Sequence, residues 1–290
     1  MLRALAVWCL IGVLVGCGGA GTGSTVAPSP GPSALAASIP AADGPPSSVR
    51  VLQMNLCNSG IAGCYTGRSV AEAATVIAAE VPDLVTLNEV CADDVPRLER
   101  ALAGVTPGDP VASAFQAARN GRTGEAYRCR NGQPYGIGLV SRWPSVPGQP
   151  AAGGIYPAQD PDDPEQRAWL CLNVTAAAGS TGRPAAVCTT HLAYTSRAVA
   201  RAQCADLFGT VVPAIRARSG SAPLVLGGDL NLGSPDGADV RACLPAGAAL
   251  VDDGGEQLVT ATPEFAVDGS RTIGMRETDH PGLLVTLTLG

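Results

Sequence analysis

The sequence contains no lysine; all 19 basic residues are arginine. That excludes a Walker-type phosphate loop and any Schiff-base lysine. No Cys-x-x-Cys pair occurs, which argues against zinc ribbons and thioredoxin-like redox chemistry. No Gly-x-Ser-x-Gly occurs either, which disfavours a serine hydrolase. There is no run of basic residues, and the net charge is −6. A sequence-reading nucleic-acid binder normally carries a basic footprint, but an enzyme that meets phosphodiesters through a metal ion needs none. Histidine is scarce, with only His191 and His280. The one long apolar run, over 4–15, is too short to span a bilayer comfortably.

What is present divides the chain in three. Residues 1–17 have signal-peptide form: Arg3, the apolar run, then Leu-Val-Gly-Cys ending at Cys17. This ending resembles the lipidation box of bacterial lipoproteins, in which the cysteine becomes the acylated N-terminus. The alternative is a plain secretory signal, and either reading exports the chain. Residues 18–48 are rich in Gly, Ser, Ala, Thr and Pro and read as a disordered tether. Residues 49–290 form the folded domain. Of ten cysteines, Cys9 and Cys17 belong to the leader, leaving eight, an even number that suggests disulfides in an exported chain. Cys57 with Cys64 closes a short loop, and Cys171 with Cys188 face each other across a hairpin. Cys91 with Cys129 and Cys204 with Cys243 then pair by elimination. A mixture of bridges and buried thiols is the alternative.

The pattern predicts a strand over 51–56 ending at Asn55, and a helix opened by a capping box at Ser69 and Glu72 and stopped by Pro82. A strand over 84–87 follows and ends at Asn88-Glu89. This strand–helix–strand order makes a parallel or mixed sheet, with Asn55 and Glu89 on one edge. A second helix covers 93–102. The signal is weak over 104–131, a strand covers 136–141, and 147–165 reads as a long loop. A hairpin is expected from 168–174 and 185–190, opened by Arg167 and closed by His191. A long helix runs over 197–218, capped by Ser196. Then comes Pro-Leu-Val-Leu-Gly-Gly-Asp-Leu-Asn, a strand ending in Asp229 and Asn231, around which the domain is organised. The last strand, 283–289, follows Thr278-Asp279-His280.

These strand-end residues are of the types that phosphodiester hydrolysis needs. A hard cation must offset charge on the phosphate, and carboxylate and amide oxygens suit Mg²⁺ or Mn²⁺. Asn55, Glu89, Asp229, Asn231 and Asp279 supply oxygens. His191 and His280 supply proton transfer, and Arg167 a fork for non-bridging oxygens.

In their order along the chain, QMNL, LNEV, VSRWP, RAWL, TTHL, GDLN and TDH resemble the endonuclease/exonuclease/phosphatase superfamily, the deoxyribonuclease I-like fold. The resemblance implies an α/β (α+β) four-layer α/β/β/α sandwich, and metal-dependent phosphoester hydrolysis, most directly by a nuclease. It implies that Glu89, Asn55 and Asp279 hold Mg²⁺ or Mn²⁺, and that Asp229 and Asn231 orient water or a second metal. Arg167 contacts phosphate, and His191 and His280 flank it as acid and base. Two departures stand out. The family's carboxylate behind the last histidine has no clear match, so Glu256, Asp252 or Asp253 is expected to substitute. The partner of His191 is also missing, with Glu125 the candidate. A sphingomyelin-like lipid or an inositol phosphate is the alternative substrate, and a non-catalytic surface lipoprotein the alternative of another class. Apolar loops at the strand ends would favour lipid; a groove lined by Arg119, Arg122, Arg128 and Arg130 would favour nucleic acid. The expected assembly is a monomer, tied to the membrane through Cys17.

Overall fold

The computed structural model describes residues 47–176, 182–233 and 240–290. The leader, nearly all of the tether and most of the expected hairpin turn lie outside them. Among the described residues no helix is long and apolar enough to cross a membrane.

In chain order the elements are β1 (Ser47–Asn55), α1 (Ser69–Glu80), β2 (Leu84–Cys91), α2 (Asp94–Val105), β3 (Ala112–Ala117), β4 (Arg119–Asn120), β5 (Tyr135–Ser141), β6 (Ala152–Ile155), β7 (Glu165–Gln166), β8 (Ala168–Thr175) and β9 (Pro184–His191). Then follow α3 (Arg197–Asp206), α4 (Val212–Arg218), β10 (Leu224–Asp229), β11 (Ala249–Asp252), β12 (Gln257–Ala261), β13 (Phe265–Ile273) and β14 (Gly282–Leu289). One six-stranded sheet has the order β13-β14-β1-β2-β5-β3, the other β11-β12-β10-β9-β8-β6. Apolar side chains of both, among them Val51, Leu139, Leu170, Val187, Val225 and Val285, meet in a shared core. On the outer faces, α1 and α2 cover the first sheet with Ile77, Leu98 and Leu102, and the α3–α4 helix covers the second with Leu207, Val211 and Ile215. This is the expected four-layer sandwich.

Within each sheet one central pair is parallel: β1 with β2, and β9 with β10. The intervening helix returns the chain to the same edge in both cases, so Asn55, Glu89, His191 and Asp229 reach a common rim.

Several local expectations need correction. Ser69 does not cap α1; Arg68 occupies the cap position without a side-chain bond. Glu72 instead accepts the backbone N–H groups of Arg276 and Glu277, both at 2.8 Å, and so ties α1 to the loop that presents Asp279 and His280. The helix over 197–218 contains a π-turn at Leu207–Val211. Pro213 has no N–H to offer the Gly209 carbonyl, which accounts for the looser turn. The loop over 147–165 hides β6, whose glycines broke the strand pattern. An added Cβ at Gly153 would meet the Gln116 side-chain oxygen at 2.3 Å, so that side chain lies close over the bare backbone of this edge. β3 and β13 were likewise unread; β13 is mostly exposed and polar, which removes the apolar alternation.

The four disulfides pair as expected: Cys57–Cys64, Cys91–Cys129, Cys171–Cys188 and Cys204–Cys243. By loop entropy, the bridges spanning 38 and 39 residues contribute about 4 kcal/mol each.

Between the two sheets, beneath the rim, lies a buried polar ladder. Gln53 donates to Asn88 (2.7 Å) and to Gln257 (2.9 Å), Thr86 donates to Gln53, and Asn88 donates to the Thr190 carbonyl (2.9 Å). Gly227 faces this ladder, and a Cβ there would stand 2.2 Å from the Thr86 hydroxyl. Gly227→Ala is therefore expected to destabilise by about 1–3 kcal/mol through overpacking, read as a fall in denaturant midpoint. An unchanged midpoint would contradict this packing.

Candidate active site

Three non-glycine residues at the rim have left-handed backbones: Cys57 (φ 43°), Glu89 (φ 56°) and Asn231 (φ 49°). Such conformations are sparsely populated and cluster at functional sites. The ladder between β2 and β5 shifts register between Leu87 and Val90. Such a bulge re-aims side chains, and Glu89 sits in it, turned to the cleft.

The cleft has a volume of about 470 Å³ and is lined by Glu89, Arg167, His191, Asp229, Asn231, Asp279 and His280 among others. Asn55 lies just behind. Its Nδ2 donates to Glu89 Oε1 (3.0 Å) and Asp229 Oδ2 (3.1 Å), bridging the two sheets. Its amide oxygen accepts the Cys57 N–H at 3.1 Å. A carbonyl oxygen has two lone pairs, so this bond leaves one for a cation. Asn55 thus braces two carboxylates through its Nδ2, and its oxygen stays compatible with the expected place beside a cation.

Asp229 is buried. Besides Asn55, it accepts from Gln257 Nε2 (2.7 Å) and the Asn231 N–H (3.2 Å), and its own N–H donates to Asn88 (2.8 Å). Burial raises the Asp229 carboxyl above its ordinary value despite these donors. Burial likewise raises Glu89, with Asp229 and Asp279 adding to the effect. Asn231 donates Nδ2 to the Leu192 carbonyl at 3.0 Å. His280 Nε2 lies 3.7 Å from Asp229 Oδ2 and 3.8 Å from Asp279 Oδ1. The carboxylates facing the last histidine are thus Asp229 and Asp279. Asp252 and Asp253 cap the turn at Gly254 and Gly255, and Glu256 is exposed, so none of these three serves it.

His191 also departs from expectation. Glu125 is exposed on a turn, and the group against His191 Nδ1 is Arg167 Nη1, at 3.0 Å. Arg167 is 2% exposed and ion-paired to Asp163 (3.1 Å) and Glu165 (3.0 Å). It is not the free phosphate fork expected. Burial, Arg167 and His280 hold the His191 imidazole well below its usual range.

The donor set fits a hard divalent cation in kind: besides Asp163 and Glu165, which pair with Arg167, the carboxylates of Glu89, Asp229 and Asp279 belong to one cleft, and burial destabilises the first two. Among the described residues they are not drawn within 4.8 Å of one another; Asp279 is that close to the Sγ atoms of Cys57 and Cys64. One or two carboxylates completed by water and substrate oxygens is the usual Mg²⁺ arrangement, so Glu89 and Asp279 fit as partial ligands.

Sequence reasoning missed Gln53, Asn88, Gln257, Asp163 and Glu165. Gln53 carried a signal, since it lies two residues before Asn55 and so on the same strand face. Asn88 adjoins Glu89. The other three had none in local pattern.

The family model for the Endonuclease/Exonuclease/phosphatase family matches residues 55–280. No curated protein matches the sequence. Among solved structures, an endonuclease/exonuclease/phosphatase from Beutenbergia cavernae DSM 12333 is similar at TM-score 0.61 and 22% identity, covering 84% of this chain and 72% of that one. TDP2 of D. rerio, complexed with a single-strand DNA product, is similar at 0.54 and 17%, covering 83% and 99%. A mannosyl-6-phosphatase of Bacteroides thetaiotaomicron VPI-5482 is similar at 0.56 and 14%, covering 82% and 99%. At these identities the structures show a shared fold, while the family match spans most of the chain and its motifs. The chain belongs to the endonuclease/exonuclease/phosphatase family, whose members are hydrolases acting on phosphoester bonds.

Proposed function

We propose that this protein is an exported, lipid-anchored phosphodiesterase that uses Mg²⁺ or Mn²⁺, and that its substrate is nucleic acid. The observation that carries the reading is the convergence of Glu89, His191, Asp229, Asn231, Asp279 and His280 on one cleft, with Asn55 linking its two halves. Glu89 and Asp279 would hold the cation, which when bound offsets charge on the phosphate and the leaving oxygen. Asp229 and Asn231 would orient the attacking water. His280, beside Asp229, is placed to move protons. The four disulfides suit an oxidising compartment, and Cys17 is the proposed anchor of a monomer. Hydrolysis of an oligonucleotide, a sphingomyelin vesicle and a sugar phosphate, each with Mg²⁺, tests the reading. Turnover of the oligonucleotide alone is expected; turnover of the lipid or sugar phosphate alone would overturn the nuclease assignment.

Two surfaces bear on the substrate. A second groove, lined by Arg122, Arg128, Thr123 and Asn120, shares Ile61, Tyr127 and Pro164 with the cleft. It offers cations to a chain leaving the site, and supports nucleic acid. Of the other arginines, Arg119 borders a neighbouring recess beside Gln166, and exposed Arg130 is held by its backbone to Ser59 of the cleft wall. Against this, Ile61 and Tyr194 stand 57% and 65% exposed on the rim, which favours the lipid reading. Replacing both Arg122 and Arg128 by glutamate is expected to lower kcat/KM on an oligonucleotide about tenfold. It should also flatten the logarithmic salt dependence by about 0.7 per lost contact. Hydrolysis of bis(p-nitrophenyl) phosphate should not change. Equal losses on both substrates would deny the groove a role.

A further inference from the structure

Behind His191 lies a buried set of charges that the reaction outlined above does not use. Arg167 Nη1 is hydrogen-bonded to His191 Nδ1 at 3.0 Å and ion-paired to Glu165 Oε1 at 3.0 Å, while Nη2 donates to Asp163 Oδ2 at 3.1 Å. The ring of Tyr194 covers the guanidinium carbon, 5.4 Å from its centroid. Two acids on the short segment before β8 therefore hold one arginine against one face of a histidine.

A guanidinium has donors only, and arginine does not deprotonate in proteins. Nδ1 of His191 must then be the acceptor, and the neutral ring carries its proton on Nε2. A second proton on Nδ1 would set one N–H against another, and two positive charges side by side. The geometry points to Arg167, fixed by Asp163 and Glu165, as a positioning residue that locks His191 in the neutral Nε2–H form, a donor to a phosphate oxygen and not a base. The tautomer stands without the proposed function; the phosphate contact rests on it. The proton transfers of hydrolysis then fall to His280.

The groups around the ring agree. Arg167 is the residue between β7 and β8, and His280 comes from the loop before β14. Asp229 lies on β10, where its backbone is in register with His191. Glu89 lies on β2 across the cleft, and Tyr194 follows β9. Asp163 and Glu165, the acids nearest in sequence to Arg167, are engaged with it. Burial, Arg167 and His280 all disfavour the imidazolium. A carboxylate partner, as the family pattern led one to expect, would have had the opposite effect.

The chain has only two histidines, so a long-range ¹H–¹⁵N correlation spectrum of the imidazoles contains two spin systems. His191→Gln removes one and assigns both. The expected result for the full chain, with and without Mg²⁺, is that His191 keeps a protonated Nε2 and a bare Nδ1 from pH 8 to pH 5. His191 protonated at Nδ1, or titrating near pH 6.5, would overturn the proposal. In Arg167→Met the midpoint of His191 should rise by about 1 to 3 pH units, and Arg167→Lys should restore much of the wild-type behaviour. If Arg167→Met does not fold, the wild-type spectrum still decides. Absence of phosphodiester hydrolysis would defeat the proposed function and leave this tautomer untouched.

Discussion

His280→Ala is expected to lower kcat for phosphodiester hydrolysis by about 10²- to 10⁴-fold, the usual contribution of a positioned acid or base. The size follows from how little else can do its work. His191 is neutral and tied to Arg167, and the sequence holds no third histidine. The carboxylates nearby are buried and hydrogen-bonded or face the cation position. His280 itself is only partly covered, at 24% side-chain exposure, and lies on a loop beside β14. Its removal opens no core cavity, so thermal stability should be unchanged, and a melting curve separates lost chemistry from lost fold. KM should move little, because the imidazole acts on the transferring proton. A variant with wild-type kcat would assign the proton transfer elsewhere.

Glu89→Gln should cost a comparable factor, for another reason. The side chain is isosteric and keeps an oxygen for the Asn55 amide, but removes the carboxylate proposed to anchor the cation. Electrostatic stabilisation by a bound metal is worth several kcal/mol. At 1.36 kcal/mol per decade, the loss is about 10²- to 10⁴-fold in turnover. The same change should raise stability without divalent cations. Burial raises the Glu89 carboxyl in the folded chain, so the folded state binds its proton more tightly than the unfolded one. Ionisation then favours unfolding: stability falls as pH rises from the unfolded value towards the folded one, and stays low above it. Glu89→Gln should therefore melt higher than wild type at pH 8, with the difference closing towards pH 4. Added Mn²⁺ should reverse the order at pH 8. A variant less stable than wild type at pH 8 without cation would show that Glu89 is a structural anion.

Much of the domain was legible because the site lies at the ends of apolar strands. The runs before Asn55, Asn88-Glu89, His191 and Asp229 are buried on both faces, and such runs announce themselves by composition. Their polar terminators then fall on one edge whenever the strands are parallel. Edge elements were harder to read. β6 is built on Gly153 and Gly154 and β13 on exposed polar residues, so neither alternates. The partners of the histidines were illegible for a different reason. Contacts such as Arg167 to His191, or Gln257 to Asp229, join strands remote in sequence. Whether a cation or a carboxylate stands behind an imidazole leaves no periodic trace. Glu125 and Glu256 were reasonable by position, yet both are exposed. Asn55 shows the same limit: its place was readable, while the direction of its amide was fixed by the Cys57 N–H.

The most direct test of the account is the rate of bis(p-nitrophenyl) phosphate hydrolysis as Mg²⁺ or Mn²⁺ is added to the EDTA-treated protein, alongside Asp229→Ala. The account predicts a rate that rises from background to saturation with the cation, returns to background on chelation, and stays at background in the variant. A cation-independent rate, or one shared by Asp229→Ala, would contradict it.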